Sequence, residues 1–103
     1  MPGFTRSATA HDQVLTPYNP AEAISPQASA IIAGKDPSTI KYWAETYRLG
    51  RKIAGRWEIS HPALLMFLDG DKVALRAYLD GDRQSERVLR YFARAGLHLM
   101  EAA

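Results

Sequence analysis

The chain has 103 residues, of which 47% are hydrophobic and 23% are charged, and its net charge is +2. This length and composition are typical of one small globular domain and exclude a large multidomain enzyme. The absence of cysteine excludes disulfide scaffolds and thiolate zinc sites, and no apolar run reaches the ~18 residues of a membrane span.

The first 23 residues lack a periodic pattern of apolar positions. Pro2, Pro17 and Pro20 interrupt this segment, and its few large apolar residues are scattered. Such a composition permits docking onto a domain but does not require it. We therefore predict a flexible N-terminal arm over residues 1–23.

Two helix starts follow in close succession. Ser25-Pro26 and Asp36-Pro37 each place a side-chain acceptor before a proline, which is typical of a helix N-terminus. Gly34 lies between them and predicts the end of the first helix. The second helix carries an apolar stripe at i, i+3, i+4 and i+7, formed by Ile40, Trp43, Ala44 and Tyr47. This spacing predicts an inward-facing stripe, and two short helices with a tight turn indicate a helix-turn-helix.

A short β-hairpin is predicted over residues 50–59. Ile53, Trp57 and Ile59 favour strands, and Gly55 allows the positive φ of a tight turn. An isolated two-stranded hairpin is marginally stable. We therefore expect it to pack against the helices through Ile53 and Trp57.

Three further helices are predicted. The first covers residues 62–68, the second follows it and ends at residue 79, and the third covers residues 83–95. They are separated by Asp-Gly-Asp at 69–71 and again at 80–82. Neither triplet continues with the further oxygen ligands of a calcium loop. We therefore interpret each glycine as a helix end and each following aspartate as the next helix cap.

Positive charge is concentrated on the second helix and the hairpin. Between residues 35 and 58, six basic residues face three acidic ones, and the excess of +3 exceeds that of the whole chain. Phosphate neutralisation by such residues supplies most non-specific affinity for DNA. The clustering favours a nucleic-acid surface over an ordinary solvated face.

The same region resembles a known family. Residues 34–43 read Gly-Lys-Asp-Pro-Ser-Thr-Ile-Lys-Tyr-Trp, Leu49 follows, and residues 53–59 read Ile-Ala-Gly-Arg-Trp-Glu-Ile. Over residues 24–68 this pattern resembles the excisionase group of MerR-like winged helix-turn-helix domains. The resemblance implies a mainly α fold with a small β-hairpin wing, here followed by two C-terminal helices. It also implies that the second helix enters the major groove and that the wing meets the backbone or the minor groove.

Candidate DNA contacts follow from the resemblance and from the charge pattern. On the recognition helix they are Ser38, Thr39, Lys41, Tyr42, Glu45 and Arg48; on the wing and backbone they are Lys35, Arg51, Lys52 and Arg56. The resemblance places Trp43 and Trp57 in the core. The sequence departs from the family at Gly50, where proline is usual, at Glu58, where a basic residue is common, and at Gln27, where an acidic residue is usual.

The last predicted helix carries an arginine ridge, Arg83, Arg87, Arg90 and Arg94. Its opposite side is apolar, so the ridge is expected to face outward. Three interpretations stay open at this point: a second phosphate contact, a surface for an acidic protein partner, and an ordinary solvated face.

The resemblance implies a sequence-specific double-stranded DNA-binding accessory factor, an excisionase or recombination directionality factor. Such a factor would bind adjacent sites cooperatively, associate with further copies along the DNA, bend it, and promote excision of a mobile element by a tyrosine or serine integrase. The alternatives are a small transcriptional regulator and a protein-interaction adaptor. The three histidines lack ligand spacing and no nucleophile motif occurs, so we expect no catalytic site, metal or cofactor. We expect residues 1–23, 24–68 and 69–103 to form an arm, a DNA-binding domain and a helical extension of a cytoplasmic, nucleoid-associated protein.

Overall fold

The computed structural model, which describes residues 13–97, is mainly helical and contains a small antiparallel sheet. In chain order its elements are a 3₁₀ turn Pro20–Glu22, β1 Ala23–Ile24, α1 Pro26–Ala33, α2 Pro37–Tyr47, β2 Gly50–Ile53, β3 Arg56–Ser60, α3 His61–Leu68, α4 Lys72–Leu79 and α5 Glu86–Arg94. The three strands lie in the order β1-β3-β2. Within residues 13–97, no helix has the length and apolar character needed to cross a membrane.

Local capping explains the first helix. The Ser25 hydroxyl accepts the Ala28 N–H at 3.0 Å, and Gly34 ends the helix in the left-handed region with φ 69°. Both features agree with the sequence prediction. The α2 helix begins at Pro37 as predicted, but the Asp36 side chain makes no capping hydrogen bond.

The hairpin turn is confirmed, and the sheet has one strand more than predicted. Ala54 and Gly55 both have positive φ, as the two-residue type I′ hairpin turn requires. The strand β1 then pairs antiparallel with the other edge of β3, and Ile24 lies opposite Ile59. The extra strand contains two residues, too few to show the alternation by which strands are recognised in a sequence.

The N-terminal segment packs into the core, contrary to the predicted flexible arm. Val14 and Leu15 are completely buried. The Leu15 N–H donates to the Tyr78 hydroxyl at 3.0 Å, and the Gln13 N–H donates to the Leu79 carbonyl at 3.0 Å. The arm prediction is therefore wrong for residues 13–23, and residues 1–12 lie outside the described residues.

The C-terminal helices share this core and are not a separate extension. One continuous cluster contains Ile40 of α2, Leu64 of α3, Tyr78 of α4 and Phe92 of α5. The Tyr78 and Phe92 rings are 5.9 Å apart. The predicted division after residue 68 therefore does not separate two cores, because α4 and α5 cover apolar surface that α3 would otherwise expose.

The α5 helix begins three residues later than predicted. Ser85 is its N-cap, and its hydroxyl accepts the Val88 N–H at 3.3 Å. The Asp82 carboxylate instead accepts the N–H groups of Gln84 and Ser85 in a turn before the helix. The first Asp-Gly-Asp triplet behaves as predicted, since Asp71 accepts the Ala74 N–H at 3.0 Å and caps α4.

A buried polar cluster joins the N-terminal segment to α4. Glu22 is 3% exposed, and its carboxylate accepts a hydrogen bond from the Tyr78 hydroxyl. Burial raises the pKa of Glu22, while the Tyr78 hydroxyl and the Arg83 charge act in the opposite direction. The cluster ties together parts of the chain that are 56 residues apart.

Candidate nucleic-acid interface

The α2 helix has one buried and one exposed side. Ile40 and Ala44 are almost completely buried, whereas Lys41, Tyr42 and Glu45 are exposed, with 60% of Tyr42 accessible. The predicted rotation of the helix is therefore confirmed at its centre, and three of the candidate recognition residues face outward together.

The apolar stripe of α2 is narrower than predicted. Trp43 is half-buried, and its ring centroid lies 4.8 Å from that of Phe67 in α3. Tyr47 also contacts the Phe67 ring, at 4.9 Å, but is 43% exposed. The prediction that Tyr47 faces the core is wrong, because its ring lies at the surface even though it contacts Phe67.

The remaining candidates on the helix pair lie at its ends. Lys35 is exposed in the turn before α2, and Ser38 is exposed in its first turn. Thr39 is half-buried. Arg48 follows the last turn, is exposed, and has a left-handed φ of 60°.

The hairpin adds cations beside this helix. Lys52 and Arg56 are exposed on β2 and β3, and the Lys52 ammonium lies 5.8 Å from the centroid of the Trp57 ring. A cleft of 480 Å³ separates the hairpin from α2 and the start of α1, and Lys41 and Arg56 both line it. The fold thus brings cations from two separate elements to one concave surface.

Sequence reasoning missed part of the lining of this cleft. Ser25 and Gln27 from the start of α1 contribute to it, as does Glu58 from β3. No local motif marks Ser25 or Gln27 as site residues, because the cleft forms only when the hairpin folds beside α1. Glu58 adds the one acidic side chain among the lining residues.

Arg51 does not belong to the exposed cationic surface. One guanidinium nitrogen, Nη2, donates to the Leu15 carbonyl at 3.2 Å, and the side chain is half-buried. Its Nε is buried and has no hydrogen-bond partner within residues 13–97. The predicted phosphate contact from Arg51 is therefore replaced by an anchor for the N-terminal segment.

The predicted arginine ridge is interrupted at its first member. Arg83 precedes α5, and its guanidinium lies 4.2 Å from the centroid of the Tyr78 ring. It donates to the carbonyls of Gln13 and Thr16, each at 2.9 Å. Arg83 therefore holds the N-terminal segment in place instead of facing an external anion.

Two further ridge arginines are paired within the chain. Arg87 contacts Asp71 at 2.9 Å, and Arg94 contacts Asp69 at 2.7 Å. The Arg94 guanidinium lowers the pKa of Asp69, and the Ala74 N–H, Tyr91 and Arg87 lower that of Asp71. Sequence reasoning assigned these aspartates to the turn between α3 and α4 but missed their ion pairs with α5, because the two elements are distant in sequence.

The Tyr91 hydroxyl completes this arrangement. It lies 2.9 Å from Asp69 and 3.0 Å from Asp71, so it bridges the two carboxylates. Burial and the neighbouring aspartates raise the pKa of Tyr91 to about 12, which keeps the hydroxyl protonated as a donor. Arg90 is exposed beside these pairs. The four arginines therefore do not form one continuous cationic surface.

The exposed cations of α2, of the turn before it and of the hairpin have no acidic partner in the part of the chain that the structure describes. Lys35, Lys41, Arg48, Lys52 and Arg56 take part in no ion pair within residues 13–97. Among the same residues, no group of three or more His, Asp or Glu side chains is arranged to hold a metal ion.

Comparisons with known family models, curated proteins and solved structures find no match.

Proposed function

We propose that this protein binds double-stranded DNA as a winged helix-turn-helix, with α2 in the major groove and the β2–β3 hairpin on the neighbouring backbone. One observation carries the proposal: Lys41 of α2 and Arg56 of the hairpin line the same cleft and are both exposed. A shared concave surface allows both elements to contact one duplex at the same time.

The exposed face of α2 suits direct reading of base edges. The helix has 11 residues and is therefore about 16 Å long, and the major groove admits an α-helix of ordinary diameter. Lys41 can donate to guanine acceptors, and Glu45 can accept from the cytosine amino group. Ser38 and Tyr42 offer further hydroxyl groups on the same exposed side.

The flanking cations suit the phosphate backbone. Lys35 is exposed in the turn before α2, while Lys52 and Arg56 are exposed on the hairpin. Contacts to phosphates fix the register of a protein on DNA but carry no sequence information. Arg51 is omitted from this set because it binds the Leu15 carbonyl.

The resemblance of residues 24–68 supports a more specific role, that of a recombination directionality factor acting with an integrase. In that role several copies would occupy adjacent sites and bend the intervening DNA. A transcriptional regulator would use the same contacts but would not require repeated sites beside a recombination point. The adaptor alternative is weakened, because Asp69 and Asp71 already pair with two arginines of the proposed docking ridge.

Selection of bound duplexes from a random library, followed by anisotropy titration, tests the proposal. Lys41→Ala should weaken binding to the selected duplex by about 1–3 kcal/mol if the lysine reads a base. Arg56→Ala should lower the affinity for selected and for random duplexes by similar factors, because a phosphate contact is independent of sequence.

Arg90→Ala is the matched control, since Arg90 is an exposed arginine outside the proposed interface. It should bind as the unmodified protein does. Equal losses from Arg56→Ala and Arg90→Ala would show that general charge drives binding and would contradict the assigned interface. Footprinting of the selected sequence across a recombination region then separates the two DNA-binding roles.

A further inference from the structure

A second concave surface lies on another part of the molecule. It is a groove of 530 Å³ between the C-terminal end of α2, the end of α3 and one side of α4. Apolar side chains form much of its lining, namely Tyr47, Met66, Phe67, Leu75 and Leu79. None of these residues lines the cleft between α2 and the hairpin.

The α4 wall of this groove carries two parallel rows of side chains. Leu75 and Leu79 form an apolar row at i and i+4, and Lys72 and Arg76 form a cationic row with the same spacing. From Lys72 to Leu79 the wall runs for about 10 Å, or two helical turns. The surface is therefore amphipathic along its length.

The opposite wall also combines an apolar side chain with a cationic one. Tyr47 is 43% exposed at the end of α2, and the exposed Arg48 follows it. An aromatic face and a guanidinium therefore border the groove across from the rows of α4. Cations flank the apolar floor on both sides.

The charge of the groove is not neutralised from within. Lys72, Arg76 and Arg48 take part in no ion pair within residues 13–97. Asp71 is the one acid among the lining residues, and its carboxylate is bound by Arg87, by Tyr91 and by the Ala74 N–H. An occupant would therefore meet apolar surface edged by available positive charge.

We propose that this groove binds an acidic amphipathic helix of a partner protein. Apolar residues of that helix, spaced at i, i+3 or i+4 and i+7, would lie on the floor beside Leu75 and Leu79. Carboxylates on its flanks would pair with Lys72 and Arg76 on one side and with Arg48 on the other. The proposal does not depend on DNA binding, because the groove and the hairpin cleft share no lining residue.

Two synthetic peptides test the proposal on the full chain. Each has ~15 residues, with leucines on one helical face; one carries glutamates on the flanks and the other carries lysines at the same positions. Fluorescence anisotropy should show binding of the glutamate peptide and none of the lysine peptide. Amide shifts of the unmodified protein on adding the glutamate peptide should be confined to residues that line the groove.

Paired charge reversals provide the control. The double substitution Lys72→Glu and Arg76→Glu should lower the affinity for the glutamate peptide at least about tenfold. Lys52→Glu with Arg56→Glu makes the same change in net charge on the hairpin and should leave peptide affinity within about twofold. Thermal unfolding of both double variants shows whether each is folded.

Several results would overturn the proposal. They are equal binding of both peptides, equal losses from the two double variants, amide shifts outside the groove, and no binding of the glutamate peptide at millimolar concentration. Dodecanoate is used to test whether the groove binds a small amphiphile instead of a protein helix. Its binding in the groove without binding of the peptide would also overturn the proposal.

Discussion

Replacing Val14 by alanine tests whether the N-terminal segment belongs to the folded core. Val14 is 0% exposed and lies in the cluster that also contains Tyr78 and Phe92. The substitution removes two buried methyl groups, each worth ~0.8 kcal/mol of transfer free energy. The cavity left behind adds to this loss, so the free energy of unfolding should fall by about 2–3 kcal/mol.

Val73→Ala is the matched control for this measurement. Val73 is 64% exposed on α4, so the same atoms are removed where little apolar surface is buried. Alanine also favours a helix more than valine does, by a few tenths of a kcal/mol. We expect the control to change the free energy of unfolding by no more than about 0.5 kcal/mol.

Urea denaturation followed by circular dichroism measures both variants. A loss of 2–3 kcal/mol is a large part of the ~5–15 kcal/mol that stabilises a domain of this kind. It should lower the melting temperature by roughly 8–20 °C. If the free energies of unfolding of Val14→Ala and Val73→Ala differed by less than about 0.5 kcal/mol, residues 13–23 would not be docked. The corrected fold would then be refuted.

Three further predictions concern charged side chains. Glu22 has a raised pKa in the folded protein, so its contribution to stability should be complete below its ordinary value of 4.5 and lost as the pH rises through the folded value; Glu22→Gln should flatten this decline in unfolding titrations that begin below pH 4.5. Neutralising Lys52 and Arg56 together should reduce the slope of log affinity for duplex DNA against log salt by about 2, and an unchanged slope would remove the hairpin from the interface. Arg51→Ala should leave that slope unchanged but lower the free energy of unfolding by about 1–3 kcal/mol, because its hydrogen bond to the Leu15 carbonyl is lost.

The features that could be predicted from the sequence are those determined by neighbouring residues. Ser25 and Gly34 bound α1 because a cap and a left-handed glycine act within one helical turn. The turn at Ala54 and Gly55 depends equally on local backbone conformation. The start of α5 was misplaced because Asp82 and Ser85 are both acceptable caps, and residue type alone does not choose between them.

The features that could not be predicted depend on contacts between distant segments. Val14 and Leu15 show no periodicity, yet Tyr78 and Arg51 bind the Leu15 backbone from α4 and β2. The partner of Arg94 could not be read from α5, because Asp69 belongs to the turn between α3 and α4. The candidate cleft has the same origin, since its walls come from α1, α2 and the hairpin.

Amide chemical-shift mapping with the selected duplex tests the central claim most directly. Titration into isotopically labelled protein should shift the amides of α2 and the β2–β3 hairpin, with Lys41 and Arg56 among the residues most affected. The amides of α5 should change little, because two of its arginines are already paired with Asp69 and Asp71. Shifts concentrated on α5, with α2 and the hairpin unaffected, would contradict DNA binding through the proposed interface.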